Sequence, residues 1–342
     1  MKTGHPLSAL LWSRLREFIR EPEAVFWVYG FPVLLAVGLG IAFRERPPDS
    51  VRVDVQAPAG GTIEILSAAA GFVAAPCEAA ACRDRLRLGR TDLVVIAGAP
   101  TTYLYDPTRP ESVLARWRVD DALQRAAGRP DPVATADAHL REPGSRYIDF
   151  LIPGLLGMNL MGGGLWGIGF VIVDMRVRKL LKRLVATPMR RSDLLLSMMG
   201  SRLIFMIPEV AILLLAGRLL FGVAVQGSLL AVAAISILGA LSFAGLGLLV
   251  ACRARKIETV SGLMNVVMLP MWLLSGIFFS SVRFPDALQP LIKTLPLTML
   301  IDALRAVILE GATLPSQWAR LGGLILWGGL SFLLALRWFR WN

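Results

Sequence analysis

A carboxylate in the middle of a long apolar stretch is the most unusual candidate for chemistry in this sequence. Glu209 lies near the centre of residues 198–221, a stretch long enough to cross a bilayer. An ionised carboxylate at that depth costs about 2.5–3.5 kcal/mol, so the side chain is expected to be paired, protonated or facing water. A functional role and a purely structural ion pair both stay open. Arg202 and Arg218 lie nearer the two ends, where we expect them to snorkel towards water.

A basic segment, residues 174–197, is the second candidate, and it follows another long apolar stretch. Its cations outnumber its two acids, Asp174 and Asp193. Basic residues beside membrane spans set their orientation, so this segment is expected on the cytoplasmic side. The cations are Arg176, Arg178, Lys179, Lys182, Arg183, Arg190 and Arg191.

Apolar residues of the basic segment recur with helical spacing, which predicts an amphipathic helix. Thr187 and Pro188 are expected to end it, because the residue before a proline disfavours the α conformation. A helix of this kind at a membrane surface either lies on anionic lipid or docks a soluble partner. The residues with this spacing are Val177, Leu180, Leu181 and Leu184.

Several motifs of catalysis and metal binding are absent from the sequence. No phosphate-binding GxxxxGK[ST] loop, HExxH zinc motif or GxSxG nucleophile elbow occurs. The chain is therefore not expected to hydrolyse a nucleotide, so any uphill work needs ion coupling or a partner. His5, His139 and Cys252 are isolated, and no metal site is expected.

The composition is that of a polytopic α-helical membrane protein. The chain has 342 residues, of which 55% are hydrophobic, and its mean hydropathy is +0.60, well above that of a soluble domain. Most basic residues flank apolar stretches, so the net charge of +11 indicates membrane orientation rather than nucleic-acid binding. Six transmembrane helices, with both termini cytoplasmic, are predicted at residues 24–43, 148–173, 198–221, 229–251, 259–279 and 321–336.

Two regions flank the first span. Residues 1–23 carry an apolar helical stripe, which predicts a cytosolic interfacial helix, with an ordinary packed helix as the alternative. Residues 44–147 are expected to form a small external α/β domain. Its predicted strands lie at 51–55, 92–96 and 101–105, and its predicted helices at 62–72, 83–89 and 111–127. Cys77 and Cys82 lie in this domain, where a disulfide and two separate thiols are both open.

The remaining part of the chain, residues 148–342, is predicted to be a five-helix transmembrane region. It contains the basic segment and, at residues 280–317, an external region broken by prolines into short helices. The second of these, at 297–309, is mostly apolar, and such a helix can enter the outer leaflet if protein covers its ends.

Three stretches resemble the permease subunits of type-2 ABC transporters (the ABC-2 type, mostly bacterial exporters). Residues 182–192, KRLVATPMRRS, are similar to that family's ERLLATPMRRSE-like segment after the second span, a fairly specific match. Residues 295–305, LPLTMLIDALR, resemble its external NPLTYLVDALR-like helix, and residues 88–96, LGRTDLVVI, resemble a turn into a strand of its external domain. With the six spans and the large first external loop, the resemblance covers nearly the whole chain.

The resemblance implies a mechanism and a set of partners. Two permease subunits, identical or sister chains, would pair around a translocation path in the bacterial inner membrane, surrounded by membrane lipids. Two ATP-binding cassette subunits would bind ATP and Mg²⁺ and dock on a coupling helix, so this chain would hold no cofactor and would not itself be an enzyme. The external domain would select cargo or bind periplasmic proteins.

The same resemblance suggests roles for three groups of residues. Coupling to the ATPase is expected from Met175, Arg176, Arg178, Lys179, Leu180, Lys182, Arg183, Leu184, Thr187, Pro188, Met189 and Arg190. The translocation path is expected to contain Asn159, Glu209, Asn265 and Trp272. The external gate helices are expected to contain Pro296, Thr298, Asp302 and Arg305.

The sequence departs from the family's pattern at Lys182, and two other functions stay open. Lys182 stands where the family often has a glutamate, which predicts a partner groove more acidic than usual. The rivals are an ion-coupled secondary transporter that uses Glu209, and a membrane sensor or scaffold whose external domain binds a ligand. Secondary transporters usually contain internal repeats, of which none is convincing here, and the Thr187-Pro188 motif favours the permease.

Overall fold

The computed structural model describes residues 6–43, 50–58, 61–130, 144, 146–185 and 191–338. Within them the chain is mostly helical, with one small sheet. Some residues singled out above lie outside the described part of the chain: His5, His139, Thr187, Pro188, Met189 and Arg190.

The elements follow one another in two groups. The first comprises α1 (Pro6–Arg20), α2 (Pro22–Val25), a π-helical turn (Phe26–Gly30), α3 (Phe31–Ala42), β1 (Val51–Gln56), α4 (Thr62–Ala68), β2 (Phe72–Cys77), α5 (Ala79–Arg87), β3 (Leu93–Ile96), β4 (Thr102–Leu104) and α6 (Pro110–Ala126). The second comprises α7 (Tyr147–Gly164), a π-helical segment (Leu165–Phe170), α8 (Val171–Val177), α9 (Leu180–Val185), α10 (Arg191–Phe221), α11 (Leu229–Ala251), α12 (Ile257–Leu274), 3₁₀ turns (Ser281–Arg283 and Asp286–Leu288), α13 (Gln289–Thr294), α14 (Pro296–Glu310), a 3₁₀ turn (Leu314–Gln317) and α15 (Trp318–Trp338).

Six helical stretches of the described chain are long and apolar enough to cross a membrane, which confirms the predicted number. We call them spans one to six in chain order. They are Pro22–Ala42, Tyr147–Val177, Asp193–Phe221, Leu229–Ala251, Ile257–Leu274 and Leu314–Trp338.

The ends of several spans differ from the prediction: span three begins at Asp193 rather than at residue 198, and span six runs over Leu314–Trp338 rather than 321–336, so it takes in the end of the region predicted to be external. The backbone explains two further differences. Span two runs on to Val177, and the amphipathic helix predicted to continue through this point breaks at Lys179, whose φ of +59° is the left-handed conformation that ends helices. Span five stops at Leu274 rather than at residue 279. Gly276, with a φ of +76°, supplies the left-handed residue that follows its end.

The membrane unit, residues 1–44 and 141–342, is held together where glycines let helices approach closely. A Cβ on Gly169, in the π-helical segment of span two, would lie 2.6 Å from the backbone oxygen of Gly247 in α11. Gly157 of α7 faces the side chain of Ile301 in α14. In a bilayer this close packing replaces the hydrophobic driving force, which lipid does not provide between helices.

The second unit, residues 45–140, is the small α/β domain. Its four strands lie in the order β2-β1-β3-β4. β1 is parallel to both neighbours, and β4 is antiparallel to β3. Val53 and Val55 of β1 pack with Leu93 and Val95 of β3 in the core, with Val119 of α6 beside them.

Strand β2 is the main correction within this domain. The helix predicted at 62–72 ends at Ala68, and the strand begins at Phe72, which pairs with Val51. Gly71, with a φ of +87°, allows the tight turn between them. Local periodicity missed the strand because its partner lies far away in sequence. A disulfide joins Cys77 at the end of β2 to Cys82 of α5.

Replacing Gly169 by Val should destabilise the membrane unit by at least about 1–3 kcal/mol, the usual cost of overpacking a core. The added side chain would meet the backbone of Gly247. We expect a lower midpoint of thermal unfolding in detergent. Gly167, in the same π-helical segment, is the matched control, because a Cβ there meets nothing within 4 Å. Equal midpoints for the two valine variants would contradict the packing argument.

Candidate functional site

A buried ion pair lies within span three. Nη1 of Arg202 is 2.8 Å from Oε2 of Glu209, and the two residues are only 5% and 3% exposed. They are seven positions apart on α10, so two helical turns bring them to the same face. Each charge therefore has its counter-charge inside the protein, where water would not reach it.

Spans one and two complete the surroundings of this ion pair. Nη2 of Arg202 donates to the backbone carbonyl of Asn159 at 3.3 Å. Gly163, one turn further along α7, makes room for the guanidinium, which a Cβ at this position would overlap. Nδ2 of Asn159 donates in turn to the carbonyl of Val28 at 3.4 Å. Asn159, Arg202 and Glu209, which we call the polar cluster, thus join the first three spans.

The position of Arg202 corrects one expectation. Its side chain does not snorkel towards water, because the nearby carboxylate and the carbonyl on α7 hold it inside the bundle. For Glu209 the structure shows the paired state. The spacing of seven residues would have indicated the pairing from the sequence. Gly163, which makes room for the guanidinium, carried no sequence signal of this role.

Helix α1 packs on the protein with one face and exposes the other. The ring of Phe18 lies 4.3 Å from that of Phe205 and 5.7 Å from that of Tyr29, centroid to centroid. Tyr29 donates its hydroxyl to the carbonyl of Phe205 at 3.2 Å. Trp12 and Ile19, by contrast, are 57% and 68% exposed. The contacts of Phe18 fit the alternative of a packed helix, and contact of the exposed apolar side chains with a membrane surface stays a prediction.

The basic segment is tied to the end of span four by one arginine. Arg176 donates through Nη1 to the carbonyl of Ala251 at 3.0 Å and to that of Ala254, and through Nη2 to that of Cys252 at 3.3 Å. The last carbonyls of a helix have no partner within it, so a side chain that supplies donors stabilises the end. Met175, also expected to couple to a partner, is buried.

Helix α9 presents charge and apolar surface together. Lys182 and Arg183 are exposed, and Leu180 is 37% exposed, whereas Leu181 is buried at 1%. Arg178, before this helix, pairs with Asp174 at 2.9 Å. The predicted apolar stripe is therefore split, with Leu181 buried in the core and Leu180 exposed.

Helix α14, which contains the expected gate residues, is largely buried between α7, α11 and α15. Arg305 fixes it, since its Cζ lies 3.6 Å from the ring centroid of Phe150 and its Nη2 donates to the carbonyls of Phe150, at 3.3 Å, and of Gly276. Burial lowers the pKa of Arg305 to about 10, and Asp302 opposes the shift. Pro296 starts the helix, and Thr298 is buried.

The four residues expected along a translocation path fall into two separate pairs. Glu209 belongs to the polar cluster with Asn159. Asn265 and Trp272 lie seven positions apart on α12, and both are exposed, so they share an outward face of that helix. Among the described residues no group of His, Cys, Asp or Glu could hold a metal ion.

Replacing Glu209 by Gln should destabilise the protein by about 3–5 kcal/mol, because Arg202 would keep a buried charge without a counter-charge. We expect a clear fall in the thermal unfolding midpoint. The double variant Arg202→Met/Glu209→Leu should recover much of it, since apolar replacement of a buried pair is often neutral. Glu258→Gln, at an exposed position, is the control. A Glu209→Gln variant as stable as the wild type would refute this.

Comparison with known proteins identifies the family. The sequence model of the family described as ABC-2 type transporter matches residues 114–309, more than half of the chain. No solved structure matches. The chain is 23% identical over 243 residues to the probable multidrug ABC transporter permease YbhS of Escherichia coli strain K12, and equally to that of strain O157:H7. The aligned region covers 70% of this chain but 64% of the relative, just under two thirds of its length. The chain is therefore a multi-pass membrane protein of the ABC-2 type transporter family.

Proposed function

We propose that this chain is the permease subunit of an ATP-driven exporter in a bacterial inner membrane, with both termini in the cytoplasm. Two copies, or this chain and a sister permease, surround the translocation path, and two ATP-binding subunits supply the energy. The observation that carries the proposal is the exposed α9, where basic and apolar side chains lie side by side at the end of span two. The permease itself needs no cofactor, since ATP and Mg²⁺ belong to its partners.

Helix α9 has the chemistry of a docking surface. Lys182 and Arg183 offer charge to an acidic groove, and Leu180 offers an apolar anchor. Leu181 is buried and packs α9 against the membrane unit, so a force on α9 would be passed to the spans. The neighbouring residues 186–190, which include the Thr187-Pro188 motif, belong to the same proposed coupling region.

Arg176 connects the proposed docking region to the transmembrane helices. Its hydrogen bonds to the end of α11 join the basic segment to the turn between spans four and five. From α1, Nη2 of Arg14 donates to Sδ of Met175 at 2.8 Å, a second link. A displacement of α9 would therefore be transmitted to α8, α11 and α1, which would move as nearly rigid bodies.

The outward face of α12 is the proposed wall of the path or contact between the two permeases. Asn265 is exposed in the middle of span five, and lipid offers an amide no hydrogen-bond partner. A Cβ on Gly262, one turn earlier, would meet nothing within 4 Å, so a second helix can approach there. Trp272 continues the same face. Helix α14 and the adjoining α13 form the proposed external gate.

The ion-coupled alternative receives less support from the geometry. A carboxylate that carries a proton or cation must reach water in at least one state. Glu209 is instead enclosed with Arg202. The Escherichia coli relative is named as a probable multidrug permease, which makes drug-like molecules the first class of cargo to test.

Replacing Lys182 by Glu should weaken association with the ATP-binding subunits at least tenfold, because a repulsive contact replaces an attractive one. Co-purification from the native host, followed by an ATPase assay of the complex, measures this. Lys293→Glu, an equal charge change at an exposed position of α13, is the control. If Lys182→Glu leaves the yield of ATPase unchanged, α9 is not the docking site. If no ATPase co-purifies with the wild type, the permease proposal fails.

A cysteine at Leu269, which is 59% exposed on the outward face of α12, should form an intermolecular disulfide in membranes if two copies pair there. Oxidative cross-linking followed by non-reducing electrophoresis measures it. Leu326→Cys, 68% exposed on α15, is the control and should stay monomeric. Cross-linking only through Leu326→Cys would contradict this and would place the contact between the two copies on α15. A sister permease in place of a second copy would leave both variants uncross-linked.

A further inference from the structure

An open cavity of about 610 Å³ lies at the end of span four, lined by residues of α11, of the turn after it and of α12, and by Trp338 at the end of α15. This volume falls in the range of about 300–1,000 Å³ that is usual for ligand pockets. Leu249, Val250, Leu263 and Val267 make its inner wall apolar. Along α12 the cavity extends from residue 259 to residue 267, which corresponds to about 12 Å of helix.

Beside these apolar residues the lining contains one basic and one aromatic side chain, and two further cations follow it along the chain, outside the lining. Arg253 lines the cavity, with Cζ 5.8 Å from the ring centroid of Trp338. Arg255 and Lys256 follow in the same turn and are exposed. In the part of the chain that the structure describes, none of these three cations takes part in an ion pair. Glu258 is the only acid between residues 250 and 285.

We infer that this cavity, the basic groove, binds one anionic phospholipid. The inference rests on the orientation proposed above, in which this end of the spans faces the cytosol. The acyl chain would lie against the apolar wall, and the phosphate would lie between Arg253 and Arg255. Thr259 also lines the cavity, and a threonine hydroxyl can donate to a phosphate or ester oxygen.

Charge complementarity selects the lipid class. Each Lys or Arg near a membrane surface attracts anionic lipid by about 1 kcal/mol, and basic pockets between transmembrane helices bind anionic head groups. A zwitterionic head group carries its own ammonium, which these cations would repel. The ring of Trp338 suits the interfacial depth at which head group and acyl chain meet. Bound lipid would bridge spans four, five and six, beside the carbonyls that Arg176 caps.

The test is native mass spectrometry of the full chain, in whatever assembly it purifies, after delipidation in detergent. Phosphatidylglycerol and phosphatidylcholine with identical acyl chains are titrated separately. We expect the first phosphatidylglycerol to bind about tenfold more tightly, and Arg253→Gln/Arg255→Gln to abolish that preference. Leu263→Trp, which fills the apolar wall without changing charge, should weaken the first binding event for both lipids.

Arg83→Gln/Arg90→Gln is the matched control, since it removes the same charge from exposed positions in the α/β domain. An equal loss of preference in this control would mean a general effect of net charge and would overturn the inference. Equal affinity of the wild type for both lipids, or no effect of Leu263→Trp, would overturn it as well. None of these measurements requires an ATP-binding partner, so the co-purification experiment can fail or succeed independently.

Discussion

Hydrocarbon offers no hydrogen-bond partner and no counter-charge, and this constraint shapes the membrane unit at its buried charged side chains. Arg202 and Glu209 form an ion pair in which each balances the charge of the other. The guanidinium of Arg305 rests on an aromatic ring and on two carbonyls. Each of these groups would be costly alone, and each therefore fixes the relative position of the helices that supply its partners.

Shape has the same importance as charge, because lipid does not drive helices together. Gly157 and Gly169 of span two face, respectively, α14 and α11 at distances that no larger residue would permit. Gly163 contributes differently, since its missing side chain leaves the space that the guanidinium of Arg202 occupies. A single glycine-rich helix thus provides both the close contacts and the place for the buried ion pair.

The sequence predicted the spans well because length and hydropathy are local properties, and six such stretches are present. It also predicted three of the four strands of the α/β domain. Strand β2 was missed because its evidence lies in the pairing with β1 rather than in its own pattern. The snorkelling expected for Arg202 was wrong for a similar reason, since the position of a residue along a span says nothing of its partners, and the carboxylate of Glu209 holds the guanidinium inside the bundle. The roles given to α9, the path and the gate concern partners that a single chain does not contain, so they stay predictions.

The left-handed conformation of Lys179 also has a mechanical meaning. Without it, α8 would continue straight into α9, and a force applied at the membrane surface would press along the axis of span two. With it, the chain changes direction at one residue, so the same force has a lever arm about the point where Arg176 anchors α8 to the end of α11. If a partner docks on α9 as proposed, its push would act as a torque on spans two and four, and we would expect a tilt rather than a movement of one span along its axis.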